Sequence, residues 1–211
     1  MINMRNFVSW RSLPIMSILL LATFSAWAAP VAPGFDVEVY ASLPDPGQLA
    51  FDPMGVLYAG HIEWQAKIYR IGIGGHPVET YGNEPITAPE AVAFDASGAI
   101  SGVPGSVLVS HFSGWDTGGY GYKGEIKAIL PDQSTITVNA LNNAFYGPRL
   151  LRFDHTGRLL IAGHVGSDWP YGISVTTGAS IMGFGEEPLG LAVDGANCIY
   201  ASIFKDAITV Y

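Results

Sequence analysis

Apolar residues along the chain fall into short runs separated by turns of the form Asp-x-x-Gly. Four such turns align, and in each an apolar run ends at the aspartate and a second follows the glycine. The aligned aspartates are Asp52, Asp95, Asp154 and Asp194, with Asn197 in place of glycine in the fourth copy. Short apolar runs bounded by turn residues are typical of β-strands, and glycine or asparagine supplies the positive φ of a tight hairpin. The pattern therefore predicts four β-hairpins.

Further strand-like segments follow each hairpin. They cover residues 67–71, 78–81, 125–130, 135–139, 172–175, 179–184 and 207–211. Four strands in about 40 residues form the unit of a β-propeller blade. We therefore predict an all-β fold, a propeller of four-stranded antiparallel blades. Four blades can be counted, and a truncated six-bladed ring would give the same count.

The two ends of the repeat region suggest how the ring would close. Phe35–Tyr40 alternates like a strand before the first hairpin, and the fourth copy runs out after its third strand at 207–211. Because unpaired edges invite aggregation, propellers commonly let the first strand complete the last blade. We expect these two segments to pair.

The first 28 residues have the pattern of an export signal. Arg5 and Arg11 precede a short apolar stretch, and Ala26-Trp27-Ala28 matches the small-x-small motif of a cleavage site. A membrane anchor is the alternative, but Pro14 interrupts the stretch, which is shorter than a spanning helix. We predict a signal peptide over 1–28, a propeller domain over 29–211, and a secreted or periplasmic location.

The charge balance limits the partners. The chain has 10 Lys and Arg against 18 Asp and Glu, a net charge of −8, and the basic residues are not clustered. Phosphate binding needs clustered cations, so nucleic acid is an unsuitable partner. The sequence has no second hydrophobic segment of the kind that would suggest stable membrane insertion. It does not indicate an oligomeric state.

The repeated unit P-x-x-[apolar]-A-[FV]-D-x-x-G-x-[LI]-Y resembles the NHL-repeat and senescence-marker/gluconolactonase superfamily of β-propellers, which are usually six-bladed. The segment Gly34-Phe-Asp-Val-Glu-Val-Tyr40 resembles the start of soluble sugar-dehydrogenase propellers. The resemblance implies the fold over the whole chain after residue 28. It also implies two activities, a metal-dependent lactonase and a quinone-dependent sugar oxidoreductase.

Residue by residue, little of the lactonase site carries over. Lactonases of that family hold a divalent metal with a glutamate in the motif Glu-Gly-Pro-x-Trp and with Asn and Asp from later blades. Here Glu90 matches the glutamate, but Gly147-Pro-Arg149 and Pro188-Leu-Gly190 stand where an amide and a carboxylate are needed. The resemblance thus implies at most a calcium-type site at Glu90, with the cation Arg149 nearby.

A histidine follows the second strand of three hairpins, and a tryptophan follows each histidine. The pairs are His61 with Trp64, His111 with Trp115, and His164 with Trp169, whereas the fourth copy has Ile203. One interpretation is packing, since copies of one ancestral repeat keep residues that cover a blade edge. The other is a ligand-binding face at the channel mouth, with Arg149 beside the rings.

We therefore expect an exported binding or interaction module for a carbohydrate, peptide or small molecule. The alternative is an enzyme in which His111 or His164 acts as a general base with a pKa near the working pH. If neutral histidines accept hydrogen bonds from the ligand, affinity should weaken as the pH falls through about 6.5.

Overall fold

The structure is a computed structural model that describes residues 38–115, 122–140, 145–165, 171–175, 180–184, 188–203 and 207–210. The chain divides into two compact units, Met1–Glu38 and Val39–Tyr211. Only Glu38 of the first unit lies within the described residues. The predicted signal peptide and its boundary after residue 28 lie outside them, so the fold described below is that of the second unit.

β-Strands make up nearly all the regular structure of the described residues. The strands are β1 Pro46–Phe51, β2 Leu57–His61, β3 Gln65–Ile71, β4 Val78–Thr87, β5 Val92–Asp95, β6 Ser106–Trp115, β7 Tyr122–Ile129, β8 Thr135–Ala140, β9 Phe145–Phe153, β10 Leu159–Val165, β11 Tyr171–Val175, β12 Ser180–Phe184, β13 Pro188–Val193, β14 Ile199–Ile203 and β15 Ala207–Val210. A short 3-10 turn, Ile73–Gly75, joins β3 to β4. In the part of the chain that the structure describes, no helix has the length and apolarity needed to cross a membrane.

The strands form four antiparallel sheets in chain order, which confirms the predicted blades. Blade 1 contains β1–β4, blade 2 contains β5–β8 and blade 3 contains β9–β12. Blade 4 contains β13–β15, three strands within the described residues. Within the described residues, each predicted segment after the first hairpin corresponds to a strand. β4 is longer than the predicted 78–81, because a register shift opposite Ala66 and Ile68 lets the pairing continue to Thr87.

Each repeated aspartate holds the turn that follows it. Asp52 Oδ1 accepts hydrogen bonds from the backbone N–H of Met54 at 2.8 Å and of Val56 at 2.9 Å. Asp154 and Asp194 make the same pair of bonds in their own turns. The fourth turn residue has positive φ in all four copies: Gly55 87°, Gly98 73°, Gly157 81° and Asn197 68°. The turn prediction is confirmed, including asparagine as the substitute for glycine.

Asp154→Asn is expected to lower the free energy of unfolding by about 1 kcal/mol. Burial alone would raise the pKa of this carboxyl, but hydrogen bonds from Thr156 and Arg158 outweigh it and lower the pKa to about 2. The ionised group therefore stabilises the fold above its unfolded pKa of about 3.9, and this contribution is lost as the pH falls towards 2.

Urea denaturation at several pH values measures this effect. Asparagine keeps the oxygen that accepts the N–H bonds of the turn. It replaces the carboxylate oxygen Oδ2, which accepts from Arg158 Nε at 2.6 Å, with an uncharged amide group. Asp132→Asn is the matched control, because Asp132 makes similar turn bonds to Ser134 in an exposed turn. Equal losses in the two variants would show that the Arg158 contact adds nothing.

Side chains on each sheet alternate between two faces, and the blades pack face to face in chain order. We call the face turned towards the earlier blade the preceding face and the opposite one the next face. Tyr58 and Ile68 on the next face of blade 1 pack with Val92, Val107 and Val109 on the preceding face of blade 2. Equivalent cores join blade 2 to blade 3 through Leu108, Ile126, Leu151 and Ile161, and blade 3 to blade 4 through Leu160, Ala162, Ile199 and Ala201. Each fully buried aliphatic side chain contributes about 2 kcal/mol.

The start of the described chain differs from the prediction. Glu38–Tyr40 is not a strand, so the expected strand over Phe35–Tyr40 is wrong in its described part. The Tyr40 hydroxyl instead donates to Gly72 O at 3.3 Å and accepts from Gly74 N at 3.0 Å. These bonds fix Tyr40 on the turn that joins β3 to β4. Residues 35–37 and 211, needed for the expected pairing with β15, lie outside the described residues.

Candidate functional site

The ring of His61 is held by side-chain contacts with residues of its own blade. Its side chain lies at the end of β2 and is only 8% exposed. The Tyr69 hydroxyl donates to Pro44 O at 3.1 Å and lies 3.2 Å from His61 Nε2, within hydrogen-bond distance. The other ring nitrogen, Nδ1, lies 3.4 Å from Lys67 O. The imidazole also packs on the Tyr69 ring, with centroids 4.8 Å apart. These contacts match the packing interpretation.

Trp64 has the opposite environment. It follows β2 in the turn towards β3 and is 55% exposed. Its ring packs against the ring of Phe112 in blade 2, with ring centroids 4.8 Å apart and an interplanar angle of 53°. Ile62, 54% exposed, lies two residues away in the same turn. We call Ile62, Trp64 and Phe112 the Trp64 surface.

His111 joins blades 1 and 2. The N–H of Thr87, at the end of β4, donates to His111 Nδ1 at 3.2 Å, which requires that nitrogen to be unprotonated. Burial, helped by the positive charge of Lys127, lowers the pKa of His111 from 6.5 to about 4. The ring is therefore neutral at pH 7, with its proton on Nε2. The expectation that this imidazole titrates near 6.5 is wrong, because the expectation took no account of its burial.

The segment that crosses from blade 1 to blade 2 is fixed by further bonds. Ser110 Oγ accepts from Ala91 N at 3.0 Å and donates to Ala88 O at 3.1 Å. Ala88 N in turn donates to Trp64 O at 2.8 Å. The loop that carries Trp64 is thus tied through its backbone to the crossover, and this holds the Trp64 surface in place.

Glu90 has a backbone role in the same crossover. Its carbonyl accepts from Gln48 N at 2.8 Å, and its backbone packs against Gly47 and Gly60. The side chain is half-buried. Among the described residues, no group of three His, Cys, Asp or Glu side chains could hold a metal ion. The predicted calcium-type site at Glu90 therefore lacks a donor set among the described residues.

The other predicted site residues are Arg149, Trp115, His164 and Trp169. Arg149 lies in β9 and is exposed, opposite a register irregularity between Ala162 and Gly163. The backbones of Trp115 and His164 lie at the ends of β6 and β10. Trp169 lies outside the described residues. The structure thus brings Trp64 and His111 to the contact between blades 1 and 2, with His61 beneath the same end of blade 1.

Two features of blade 1 and its contacts have little or no signal in the sequence. Gln48 reaches blade 3, where its amide donates to Leu151 O at 2.6 Å and accepts from Leu151 N at 2.9 Å. Its one sequence signal is a polar residue where the aligned positions hold Ala91, Leu150 and Gly190. The second feature is a cavity of about 420 Å³ between blades 1 and 2 at the opposite end of the sheets. It is lined by residues that include Asp52, Tyr58, Arg70, Glu79, Phe94 and Gln133.

Consecutive four-stranded antiparallel sheets, packed face to face and joined by short crossovers, define a β-propeller. A scan against protein-family models gives no match. A search of curated proteins gives no significant match either.

Several solved structures share the fold. One is a candidate gluconolactonase, 17% identical with a TM-score of 0.52, in which the match covers 78% of this chain and 59% of that one. The second is a PQQ-bound aldose sugar dehydrogenase from Streptomyces coelicolor, 16% identical with a TM-score of 0.52, covering 80% and 59%. The third is a candidate oxidoreductase (glucose dehydrogenase) from Thermus thermophilus, 15% identical with a TM-score of 0.51, covering 78% and 59%.

These likenesses establish the fold. The chain spans 59% of the length of each of the three proteins, and the identities are low. A shared fold hosts many activities, so function has to be argued from the site. The propeller predicted from the strand count agrees with the fold of the structures that the chain resembles.

Proposed function

We propose that the protein is an exported β-propeller binding module whose Trp64 surface binds a ring-bearing ligand, a carbohydrate by preference. One observation carries the proposal: a tryptophan more than half exposed, braced by Phe112 and tied by its backbone to the crossover. Tryptophan buries a large apolar area at little entropic cost when a ligand covers it. An indole already held in place loses less freedom on binding.

The contacts of His61 and His111 support a role for Trp64, and not for these histidines, in contacting the ligand. His61 and His111 have partners within the blades, so they stabilise the loops beneath the surface and leave Trp64 to contact the ligand. Glu63, with a side chain 61% exposed, lies next to Trp64 and provides a carboxylate that can accept hydrogen bonds from hydroxyl groups. An aromatic ring beside a polar acceptor suits the two faces of a sugar, one apolar and one rich in hydroxyls.

The names of the similar propellers favour the same ligand class. They refer to a gluconolactonase, an aldose sugar dehydrogenase and a glucose dehydrogenase. These names also support the alternative, a lactonase or a quinone-dependent oxidoreductase. His111 is a poor general base for either activity, because Thr87 N–H occupies Nδ1 and the proton occupies Nε2. This observation on His111 supports the binding module, and His164, the other histidine of the enzymatic alternative, has no described side chain.

Trp64→Ala is expected to weaken carbohydrate binding at least tenfold, about 1.4 kcal/mol, because the ligand loses its stacking partner. The assay is isothermal titration calorimetry, in which the purified chain is titrated with glucose, galactose, cellobiose and gluconolactone. Met54→Ala is the control, since Met54 is 78% exposed in the Asp52 turn at the opposite end of the sheet. This substitution should leave every dissociation constant unchanged.

Two results would contradict the proposal. In one, a sugar binds with the same affinity to the parent and to Trp64→Ala. In the other, no sugar binds but the chain with added PQQ and Ca²⁺ oxidises glucose, or the chain hydrolyses gluconolactone. The second result would favour the enzymatic alternative.

A further inference from the structure

Blade 1 has charged side chains on β3 and β4 at positions where the other blades have apolar ones. Tyr58, Arg70 and Glu79 pair across β2, β3 and β4 and form one row on the next face. In each blade this row begins at the residue two positions before the turn aspartate. The described residues that take the positions of Arg70 and Glu79 in the other blades are Ala128 and Ile136 in blade 2, Val175 in blade 3 and Val210 in blade 4. Packing between blades therefore does not require the two charges.

These charges line the cavity of about 420 Å³ between blades 1 and 2. Its lining includes two carboxylates, Asp52 and Glu79, and one guanidinium, Arg70, so the net charge at pH 7 is negative. Arg70 Nη1 donates to Glu79 Oε1, and the guanidinium also interacts with the Tyr58 hydroxyl. The positive charge of Arg70 is thus matched within the wall of the cavity. The charge of Asp52 is left over.

Asp52 also differs from the other turn aspartates in its second carboxylate oxygen. In the other three turns, Oδ2 accepts hydrogen bonds from nearby side chains, which are Ser101, Arg158 and Tyr200. Asp52 holds its turn through Oδ1, and among the described residues no hydrogen bond reaches its Oδ2. Because Asp52 lines the cavity, this oxygen is left to accept a hydrogen bond from a ligand. A ligand that also balances the charge carries a positive charge on an N–H donor.

The walls of the cavity are held in place by contacts between the two blades. Asn83 N donates to Gln133 O at 2.9 Å, which ties β4 to the turn between β7 and β8. The Tyr58 ring stacks on Phe94 of blade 2, with ring centroids 5.8 Å apart, and both residues line the cavity. The volume lies in the range of small-molecule pockets, and walls that are already fixed lose little freedom on binding.

We propose that this cavity is a second ligand site, which binds a small organic cation through a protonated amino group. The amino group donates to Asp52 Oδ2 and is attracted by Glu79, while the carbon chain of the ligand lies beside Tyr58 and Phe94. The cavity is at the opposite end of the sheets from Trp64. The proposal therefore does not depend on carbohydrate binding at the Trp64 surface.

Three probes of equal chain length test the requirement for a positive charge: propylamine, propan-1-ol and propionate. Each is added at pH 7 to the ¹⁵N-labelled chain, and the amide signals of Met54 and Val56 are followed, because both N–H groups donate to Asp52. Propylamine is expected to shift both signals until the site is saturated, and the other two probes to leave them unchanged. The Trp64 indole signal should stay in place, which separates this site from the Trp64 surface. No saturating shift with propylamine, or an equal shift with propan-1-ol, would overturn the proposal.

Asp52→Asn should raise the dissociation constant of propylamine at least tenfold, because the amino group loses its charged acceptor. Asparagine keeps the oxygen that holds the turn. Asp194→Asn is the matched control, since Asp194 makes the same two turn bonds in blade 4 and does not line the cavity. The control should leave the dissociation constant unchanged. Equal affinities for propylamine in the parent and in a folded Asp52→Asn would contradict the proposal.

Glu79→Gln keeps the test decisive if Asp52→Asn fails to fold. The Glu79 side chain is 49% exposed and holds no turn, so its replacement by the amide is compatible with the fold. Arg70 then loses its ion-pair partner and repels the amino group, and we expect propylamine binding to weaken at least tenfold. Unchanged binding in Glu79→Gln would show that the charges of this cavity do not select the ligand, and would overturn the proposal.

Discussion

Gly60→Ala should lower the free energy of unfolding by about 3 kcal/mol and the melting temperature by about 6–12 °C. A Cβ at this position would lie 2.6 Å from the Glu90 carbonyl carbon and 2.7 Å from Pro89 O, and closer still to Glu90 O. These neighbours are backbone atoms of the crossover, which His61 N and Gln48 N hold by hydrogen bonds of 2.9 and 2.8 Å. The added methyl group can be accommodated only by separating β2 from the crossover.

Gly195→Ala is the control for this prediction. Gly195 lies in the Asp194 turn, where an added Cβ would meet nothing within 4 Å. Thermal denaturation of the two variants beside the parent is the measurement. If Gly60→Ala melts within about 2 °C of Gly195→Ala, the close approach of β2 to the crossover is not a feature of the folded protein.

The free energy of unfolding should decrease as the pH falls from 6.5 to 4, and His111 should account for one proton of this dependence. The folded state keeps His111 neutral because of burial and Lys127, so the unfolded chain takes up the proton first. The contribution is fully present above pH 6.5 and lost at about pH 4. Its size is about 2 kcal/mol, since one pKa unit is worth about 1.4 kcal/mol and solvent screens the half-buried ring.

His111→Gln isolates this contribution. Glutamine removes the titrating ring and keeps an oxygen that can accept the Thr87 N–H bond. Urea denaturation at pH 7.0 and 4.5 should therefore show a smaller loss of stability in the variant than in the parent. An equal pH dependence in both proteins would mean that His111 is protonated as readily in the folded state as in the unfolded chain.

The fold could be predicted because its signals are local. Three of the turn aspartates, Asp52, Asp154 and Asp194, bond to the N–H groups two and four residues later. In all four turns the residue three positions after the aspartate, a glycine or asparagine, has positive φ. These hydrogen bonds and backbone angles involve residues that are close neighbours in the sequence. The strand expected over Phe35–Tyr40 is wrong in its described part. Glu38 to Tyr40 alternates like a strand, but the Tyr40 hydroxyl is held by hydrogen bonds to the backbone of Gly72 and Gly74.

The candidate site was harder to predict because its partners are remote in sequence. His61, His111 and their tryptophans look alike along the chain, yet His61 is buried on Tyr69, His111 accepts from Thr87, and Trp64 is exposed. Glu90 matched a metal ligand by type, but its described role is through its backbone. Burial and distant partners decide which member of a repeated set can meet a ligand.

The most direct test of the proposed binding function is the indole N–H region of a ¹H–¹⁵N spectrum, recorded while a sugar is added. The Trp64 signal is assigned by its absence in Trp64→Phe. We expect this signal to shift until the binding site is saturated, and binding to weaken in Trp64→Ala. If sugar shifts only the signals of Trp115 or Trp169, or none of them, the Trp64 surface is not the binding site.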